Sequence, residues 1–132
     1  MREYLIDTVA FVRYLEDDLP PRADRIFSEA ESGASHLFLP QIALGEFIYL
    51  AMKGRIKGSQ PGLQAREVLH NLSASDAFTV SSMPSEAWGV FVDLDVRELH
   101  DRMIAAEAIS RAIPLVSNDT AFRGLPRLNV VW

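Results

Sequence analysis

The sequence predicts an α/β fold with a mostly parallel central sheet, because short apolar segments typical of strands alternate with longer segments of helical spacing. Two of the predicted strands are followed closely by an aspartate. In "EYLIDT" the aspartate comes directly after the apolar residues, and after "IPLVS" an aspartate comes two residues later. Parallel strands are joined by right-handed crossovers, and ligands bind beyond their carboxyl ends. We therefore expect a polar site at that edge of the sheet.

The first half of the chain predicts two strands and three helices. "EYLIDT" is typical of a short buried strand, and the apolar residues of "TVAFVRYLEDD" have mostly helical spacing. A second helix is expected around "RADRIFSEAESG", with Gly33 as its stop, and a second strand at "HLFLP". The next helix, "PQIALGEFIYLAMKGR", is strongly apolar and ends before "GSQPG", whose glycines and proline are typical of a loop.

The second half continues the alternation. "LQAREVLHNLSAS" predicts an amphipathic helix and "AFTVS" a third strand, and a further helix is expected within 84–94. "LHDRMIAAEAISRA" predicts another helix, which precedes the fourth strand "IPLVS" and a fifth strand in "LNVVW". No internal repeat, linker or low-complexity tract interrupts this order.

Composition limits the possible functions. The chain has 132 residues, 48% of them hydrophobic, which is enough for one domain with a real core. A formal net charge of -5 has the wrong sign for holding nucleic acid by bulk charge alone. The absence of cysteine excludes disulfides, thiolate zinc sites and a cysteine nucleophile. No apolar run approaches the roughly 20 residues of a membrane span, and "MREYLID" does not resemble a signal peptide, so we expect a cytoplasmic protein.

Glu46 is an unusual acid because its helical neighbours are mostly apolar. Ile42, Ala43, Tyr49 and Leu50 lie three or four residues away, so this carboxylate is expected on a mainly apolar face. A buried carboxylate normally takes a partner or a metal. A ligand role is favoured, and a glutamate bonded to an arginine or to a backbone end is the alternative.

Three further acids lie at the ends of predicted elements. Asp7 and Asp119 are each candidates for a helix N-cap, and Asp101 is a candidate for an acid in the first turn of a helix. An α/β fold can bring all three to one rim, together with Glu46. Carboxylates crowded in this way repel unless a hard divalent cation bridges them, and a set of oxygen ligands selects magnesium or manganese. Such a cation would also bind phosphate oxygens and activate water for attack on a phosphodiester.

These segments resemble the PIN domain family and, within it, the VapC-type ribonuclease toxins of bacterial and archaeal toxin-antitoxin systems. The resemblance covers nearly the whole chain and depends on order and spacing rather than on one short motif. It implies a PIN-like three-layer α/β/α sandwich formed by residues 1–132 as a single domain. The matching segments are "YLIDTVAFVRYL", "PQIALGEFIYL", "LHDRMIAAEAISRAIPLVSND" and "FRGLPRLNVVW".

The resemblance implies a metal-dependent endoribonuclease that cuts single-stranded or looped RNA. Asp7, Glu46, Asp101 and Asp119 would form its catalytic quartet and bind magnesium or manganese. The resemblance also implies a small antitoxin protein as partner and a homodimer. A housekeeping PIN nuclease of RNA maturation and a PIN fold that binds RNA or protein without cutting are the alternatives.

The two hydroxyl residues beside the first and last acids also match the family. Thr8 and Ser117 are expected to support the site, with capping and strand-end hydrogen bonding as equal alternatives. Many PIN domains have threonine where this chain has Ser117. Some carry a further acid after the last aspartate, where this chain has Ala121, Phe122 and Arg123. This difference leaves open whether a second metal site exists.

Basic residues near the predicted site are candidates for RNA contacts. The densest basic stretch, "MKGRIKG", contributes Lys53, Arg55 and Lys57, and Arg102 follows Asp101 directly. A solvated helix end is an equal alternative for the stretch. Glu107 and Arg111 are expected to form a surface pair, and Glu98 is expected to be solvated. His100 is expected to be structural, with a hydrogen bond to the site as the alternative, since it lies beside Asp101.

A rival enzyme class is suggested by "VFVDLDV", at 90–96. It resembles the aspartate-nucleophile motif of haloacid-dehalogenase-like phosphatases, in which an apolar strand ends in paired aspartates. Those enzymes need a downstream lysine, but Lys53 and Lys57, the two lysines of this chain, both precede the motif. A receiver domain of two-component signalling needs a lysine near the last strand, which is also missing. Both alternatives are therefore disfavoured.

Overall fold

The computed structural model describes residues 1–56 and 61–132, which form one five-stranded sheet and its surrounding helices. All four strand pairings are parallel, and the strand order is β3-β2-β1-β4-β5. This arrangement confirms the α/β prediction. The elements are β1 (Arg2–Ile6), α1 (Thr8–Leu15), α2 (Pro21–Glu31), β2 (Ser35–Pro40), α3 (Gln41–Met52), α4 (Pro61–Ala74), β3 (Phe78–Ser81), α5 (Ala87–Asp93), α6 (Leu99–Arg111), β4 (Leu115–Val116), a 3₁₀ helix (Thr120–Phe122) and β5 (Val130–Val131).

The strand order reverses direction once, beside β1. From β1 the chain moves outward to β2 and β3, then crosses back to add β4 and β5 on the other side of β1. Right-handed crossovers that run in opposite directions place their helices on opposite faces, which produces a three-layer sandwich. The point between β1 and β4 is the topological switch point, where open α/β sheets form a ligand crevice.

The central strands are buried on both faces. Leu5, Ile6, Leu37, Leu115 and Val116 have no exposed surface, as expected for strands that carry helices on either side. This explains why the strands appear in the sequence as continuous apolar runs.

A pair of aromatic rings fixes α1 against α3. Phe11 and Phe47 are buried and meet edge to face, with ring centroids 5.4 Å apart. Such pairs add about 0.5–1.5 kcal/mol to the free energy gained from burial alone. Because α1 follows Asp7 and α3 carries Glu46, this packing sets the relative position of two of the predicted site residues.

The segment 90–96 differs from the rival phosphatase interpretation. Ala87–Asp93 is a helix, so the two aspartates of "VFVDLDV" do not follow a buried strand. Val92 is 70% exposed, which also differs from a core strand. Among the described residues, no helix combines the length and apolar character needed to cross a membrane.

Candidate functional site

The candidate site lies at the switch point between β1 and β4. Ile6 and Val116, the last residues of these strands, are paired in register. The next residue of the first strand continues the pairing, because the Asp7 backbone N–H donates to the carbonyl of Val116 at 3.3 Å. The two central strands therefore deliver Asp7 and Ser117 to the same rim of the sheet.

Asp7 is the most enclosed acid of the site. It is 5% exposed and caps α1, where its Oδ1 accepts from the Ala10 backbone N–H at 2.8 Å. Its Oδ2 accepts from the Ser117 hydroxyl. Burial raises the pKa of Asp7 from 3.8 to about 6, although both hydrogen bonds lower it, and repulsion from Asp119 and Glu46 raises it further. The Asp7 carboxylate therefore caps α1 and also lies at the rim where the site was predicted, so the two interpretations do not exclude each other.

Ser117 connects the two aspartates that follow β1 and β4. Its hydroxyl is buried and donates to Asp7, while its oxygen accepts from the Asp119 backbone N–H at 3.0 Å. Asp119 is half-buried and caps the 3₁₀ helix, since its Oδ1 accepts from the Ala121 N–H at 2.9 Å. The side chain of Ser117 thereby fixes the turn that presents Asp119.

Glu46 reaches the site from α3. Its Oε1 accepts from the Thr8 hydroxyl at 3.0 Å, and its Oε2 lies 3.4 Å from Nδ1 of His100. The side chain is 34% exposed, so it is less buried than the apolar sequence around it suggested. The reason is that Ala43 and Phe47 form the buried face of α3, and Glu46 lies at the edge of that face.

Asp101 lies in the first turn of α6 and is electrostatically coupled to the other acids. Burial raises the pKa of Asp101 to about 6, and repulsion from four carboxylates adds to this shift. Three of the four are Asp119, Glu46 and Asp7, so the quartet expected from the sequence shares one electrostatic environment. The fourth is Glu98, which caps α6 by accepting from the Asp101 N–H at 2.7 Å. We refer to Asp7, Glu46, Asp101 and Asp119 as the acidic pocket.

The acidic pocket contains the type of ligand atom that a hard cation prefers, but its side chains are not arranged around one metal position. Its carboxylate oxygens are the donors that magnesium and manganese prefer. Across residues 1–56 and 61–132, however, no three histidine or acidic side chains are arranged to hold a metal ion. The oxygens of Asp7 and Glu46 instead accept from Ser117, Ala10 and Thr8.

The basic residues predicted to contact RNA have different surroundings. The ammonium of Lys53 lies over the ring of Tyr49, 5.1 Å from its centroid, and Arg55 is exposed. Lys57 lies outside the described residues. Arg102 has a structural role that the sequence did not indicate: its guanidinium donates to three backbone carbonyls, those of Phe91, Val92 and Val96, at 2.7–3.2 Å.

Glu98 is exposed, as predicted, but also caps a helix, whereas Glu107 is buried and not on the surface as predicted. Glu98 caps α6 and lies 3.6 Å from Nδ1 of His100. The same nitrogen lies 3.4 Å from Glu46, which agrees with the alternative that His100 contacts the site. The spacing from Glu98 to Asp101 is that of a cap to its third helical residue, which was the signal available. Glu107, expected on the surface, is 2% exposed and accepts from Ser81 at 2.5 Å and from Arg111 at 2.9 Å. The predicted pair with Arg111 exists, but it is buried on the Glu107 side.

Comparison with known proteins gives a family and a set of solved structures. The family model for the PIN domain matches residues 4–128. No curated protein matched the sequence. Among solved structures, VapBC2 from Rickettsia felis, bound to a DNA fragment from its promoter, includes a chain with 18% identity and a TM-score of 0.75; the match covers 98% of this chain and 97% of that one.

Two further structures have the same fold. DNA-bound VapBC from Salmonella typhimurium matches with 21% identity and a TM-score of 0.74 over 99% of this chain and 98% of that chain. VapC20 from Mycobacterium tuberculosis, a toxin that cleaves the sarcin-ricin loop, matches with 17% identity and a TM-score of 0.59 over 96% and 98%. At these identities the likeness establishes a shared fold.

Proposed function

The chain belongs to the PIN domain family, and from this membership and the acidic pocket we propose that it is a magnesium- or manganese-dependent endoribonuclease, the toxin of a VapBC-type pair. The observation that carries the proposal is geometric: the Ser117 hydroxyl joins the Asp7 carboxylate to the backbone of Asp119 at the switch point of the sheet, where these two acids belong to a cluster of carboxylates. In support, burial and then repulsion from the neighbouring acids raise the pKa of Asp101. A protein that holds such a cluster without a cation loses stability, so the cluster indicates a function that needs it.

In this proposal the acidic pocket binds the metal. Ser117 already orients the carboxylate of Asp7 and holds the backbone of Asp119, whereas Glu46 would exchange its contact with His100 for the ion. A bound magnesium or manganese ion would neutralise the pocket, lower the pKa of a bound water and stabilise charge on the reacting phosphate. No ribose hydroxyl is needed as nucleophile.

Hydrogen bonds within the protein would orient the carboxylates that take part in the reaction. The double hydrogen bonding of Asp7 keeps its carboxylate in one orientation toward the rim, because both oxygens are tied to separate elements. Thr8 does the same for one oxygen of Glu46. Such fixed acceptors orient an attacking water in line with the scissile bond and avoid reorganisation during the reaction.

The substrate and partners belong to the same proposal. Lys53 and Arg55 lie beyond the Glu46 helix, where they would attract the RNA backbone despite the net charge of -5. The VapBC structures are complexes, and by analogy we propose a small antitoxin protein as partner, with a homodimer as the assembly and the cytoplasm as the place of action.

Cleavage of labelled RNAs tests the proposed function. A mixed set of structured RNAs is incubated with magnesium or manganese and with wild-type protein, Asp7→Asn or Glu46→Gln, each purified free of any partner. Asparagine is as good an N-cap as aspartate, so Asp7→Asn keeps the start of α1. We expect cleavage that needs metal and disappears in both variants. Equal cutting by all three proteins would identify a contaminating nuclease, and binding without cutting by the wild type would favour a non-catalytic module.

A further inference from the structure

An apolar pocket adjoins the acidic pocket and shares a residue with it. The cavity has a volume of about 250 Å³ and is lined by Gln41, Ile42, Gly45, Glu46, Tyr49 and His100. Glu46 belongs to the acidic pocket, and His100 lies 3.4 Å from its carboxylate. A group bound in this cavity therefore lies directly beside the proposed reaction site. We call it the α3 pocket.

One face of α3 forms the floor of this cavity. Ile42, Gly45, Glu46 and Tyr49 are spaced by three and four residues, which puts them on the same side of the helix. Gly45 leaves the floor open, because a Cβ atom built there meets nothing within 4 Å. Tyr49 is 59% exposed, so a flat aromatic ring borders the cavity and is open to solvent.

Two polar side chains lie beside the apolar floor in an arrangement that suits a nucleotide: Gln41 lines the cavity, and Lys53 lies over the Tyr49 ring. The ammonium of Lys53 lies 5.1 Å from the centre of the Tyr49 ring and supplies positive charge for a phosphate. Oε1 of Gln41 accepts from the Ser82 hydroxyl at 3.3 Å, which leaves its Nε2 to donate to the edge of a base. An apolar side chain of a protein partner would use the floor but neither of these two polar groups.

We propose that the α3 pocket binds one unpaired nucleobase of the RNA, stacked on Tyr49, beside the phosphodiester that lies in the acidic pocket. Single-stranded RNA is commonly recognised by bases stacked on exposed aromatic rings, with cations on the backbone. The assignment rests on the proposed function, and it makes Tyr49 a binding residue rather than a catalytic one.

Fluorescence of 2-aminopurine separates stacking from binding. Short single-stranded RNAs carry 2-aminopurine at successive positions and a terminal dye, and Asp7→Asn protein is used so that the RNA stays intact. Anisotropy of the dye reports binding, and quenching of 2-aminopurine reports stacking. We expect binding with quenching at one or two neighbouring positions.

Variants of the pocket then test the assignment. In the Asp7→Asn protein, adding Tyr49→Ala is expected to abolish the quenching and raise the Kd for RNA at least about 5-fold, while Tyr49→Phe retains both. Gly45→Leu, which fills the cavity without removing a side chain, is expected to have the same effect as Tyr49→Ala. Trp88→Ala is the matched control, because Trp88 is 50% exposed and does not line the cavity. It is expected to change neither signal.

Each other result contradicts a specific claim. Binding without quenching at any position, or quenching that persists in both Tyr49→Ala and Gly45→Leu, overturns the nucleobase assignment and leaves the α3 pocket to a protein partner. No RNA binding by anisotropy, with wild-type protein or with Asp7→Asn, overturns the proposed function together with the assignment. Failure of the pocket alone is thereby distinguished from failure of the function.

Discussion

The Ser117 hydroxyl donates a hydrogen bond to the Asp7 carboxylate, and so joins two residues that lie 110 positions apart in the sequence. The same oxygen accepts from the backbone N–H of Asp119. One small buried side chain thus contacts two acids that follow adjacent strands. Its loss would affect both acids together.

Ser117→Ala is expected to raise the pKa of Asp7 above about 6, because the hydroxyl bond favours the charged carboxylate. It should also lower the free energy of unfolding by about 1 kcal/mol, since the Asp119 N–H loses its acceptor. Carboxyl carbon NMR and urea unfolding measure the two effects. Ser117→Thr keeps the hydroxyl and is the control. An unchanged pKa of Asp7 in the alanine variant would contradict the assigned role.

Stability without metal is expected to fall as the pH rises from about 4 to about 7. Asp7 and Asp101 have a pKa raised from 3.8 to about 6, so the folded state binds protons more tightly than the unfolded chain. Their favourable contribution is complete below the unfolded pKa and lost as the pH passes the folded pKa. For the buried Asp7 the loss is about 3 kcal/mol. Urea unfolding with a chelator across this pH range measures it.

Asp7→Asn supplies the control for that pH dependence. The variant has no charge at this position in either state, so its unfolding free energy should vary less between pH 4 and pH 7 than that of the wild type. A pH profile identical to the wild-type profile would show that Asp7 ionises normally in the folded protein.

Added magnesium or manganese is expected to raise the melting temperature of the wild type. A ligand that binds only the folded state stabilises it by about 2.7 kcal/mol at about 100 times its Kd. The double variant Asp7→Asn, Asp119→Asn should lose most of this shift, and Asp24→Asn, an exposed acid of α2, should keep it. Thermal unfolding with chelator or with each metal tests this. Equal shifts in all three proteins would place the ion elsewhere.

Arg111→Met is expected to destabilise the fold by about 3 kcal/mol. The Glu107 carboxylate accepts from Arg111 and Ser81, and the change removes the bond from Arg111. The fold is destabilised because a buried charge without its counterion is costly. The double variant Glu107→Met, Arg111→Met should recover most of the loss, because no charge is then buried. Urea unfolding of the three proteins compares them. A single variant as stable as the wild type would mean that solvent reaches Glu107.

Strand ends were the most predictable feature of this protein. The sequence could predict that Asp7 and Asp119 lie together at one rim of the sheet. An apolar run that stops at an acid is a local signal, and a parallel sheet brings such ends together. The burial of Glu107 could not be predicted, since a pair at i and i+4 has the same spacing on a buried face as on an exposed one. The bonds from Arg102 to three carbonyls depend on how α5 packs against α6, which no local pattern contains.

The reversal of strand order beside β1 has a consequence for synthesis on the ribosome. β1 can pair with β2 as soon as residues 1–40 have emerged, because their register begins with Arg2 opposite Ser35. β4 joins β1 from the far end of the sequence, and Ser117 and Asp119 arrive with it. A nascent chain carries Asp7 and Glu46 long before it carries their counterparts. The site is therefore completed only after synthesis has passed Asp119, and a product that stops before this residue lacks it.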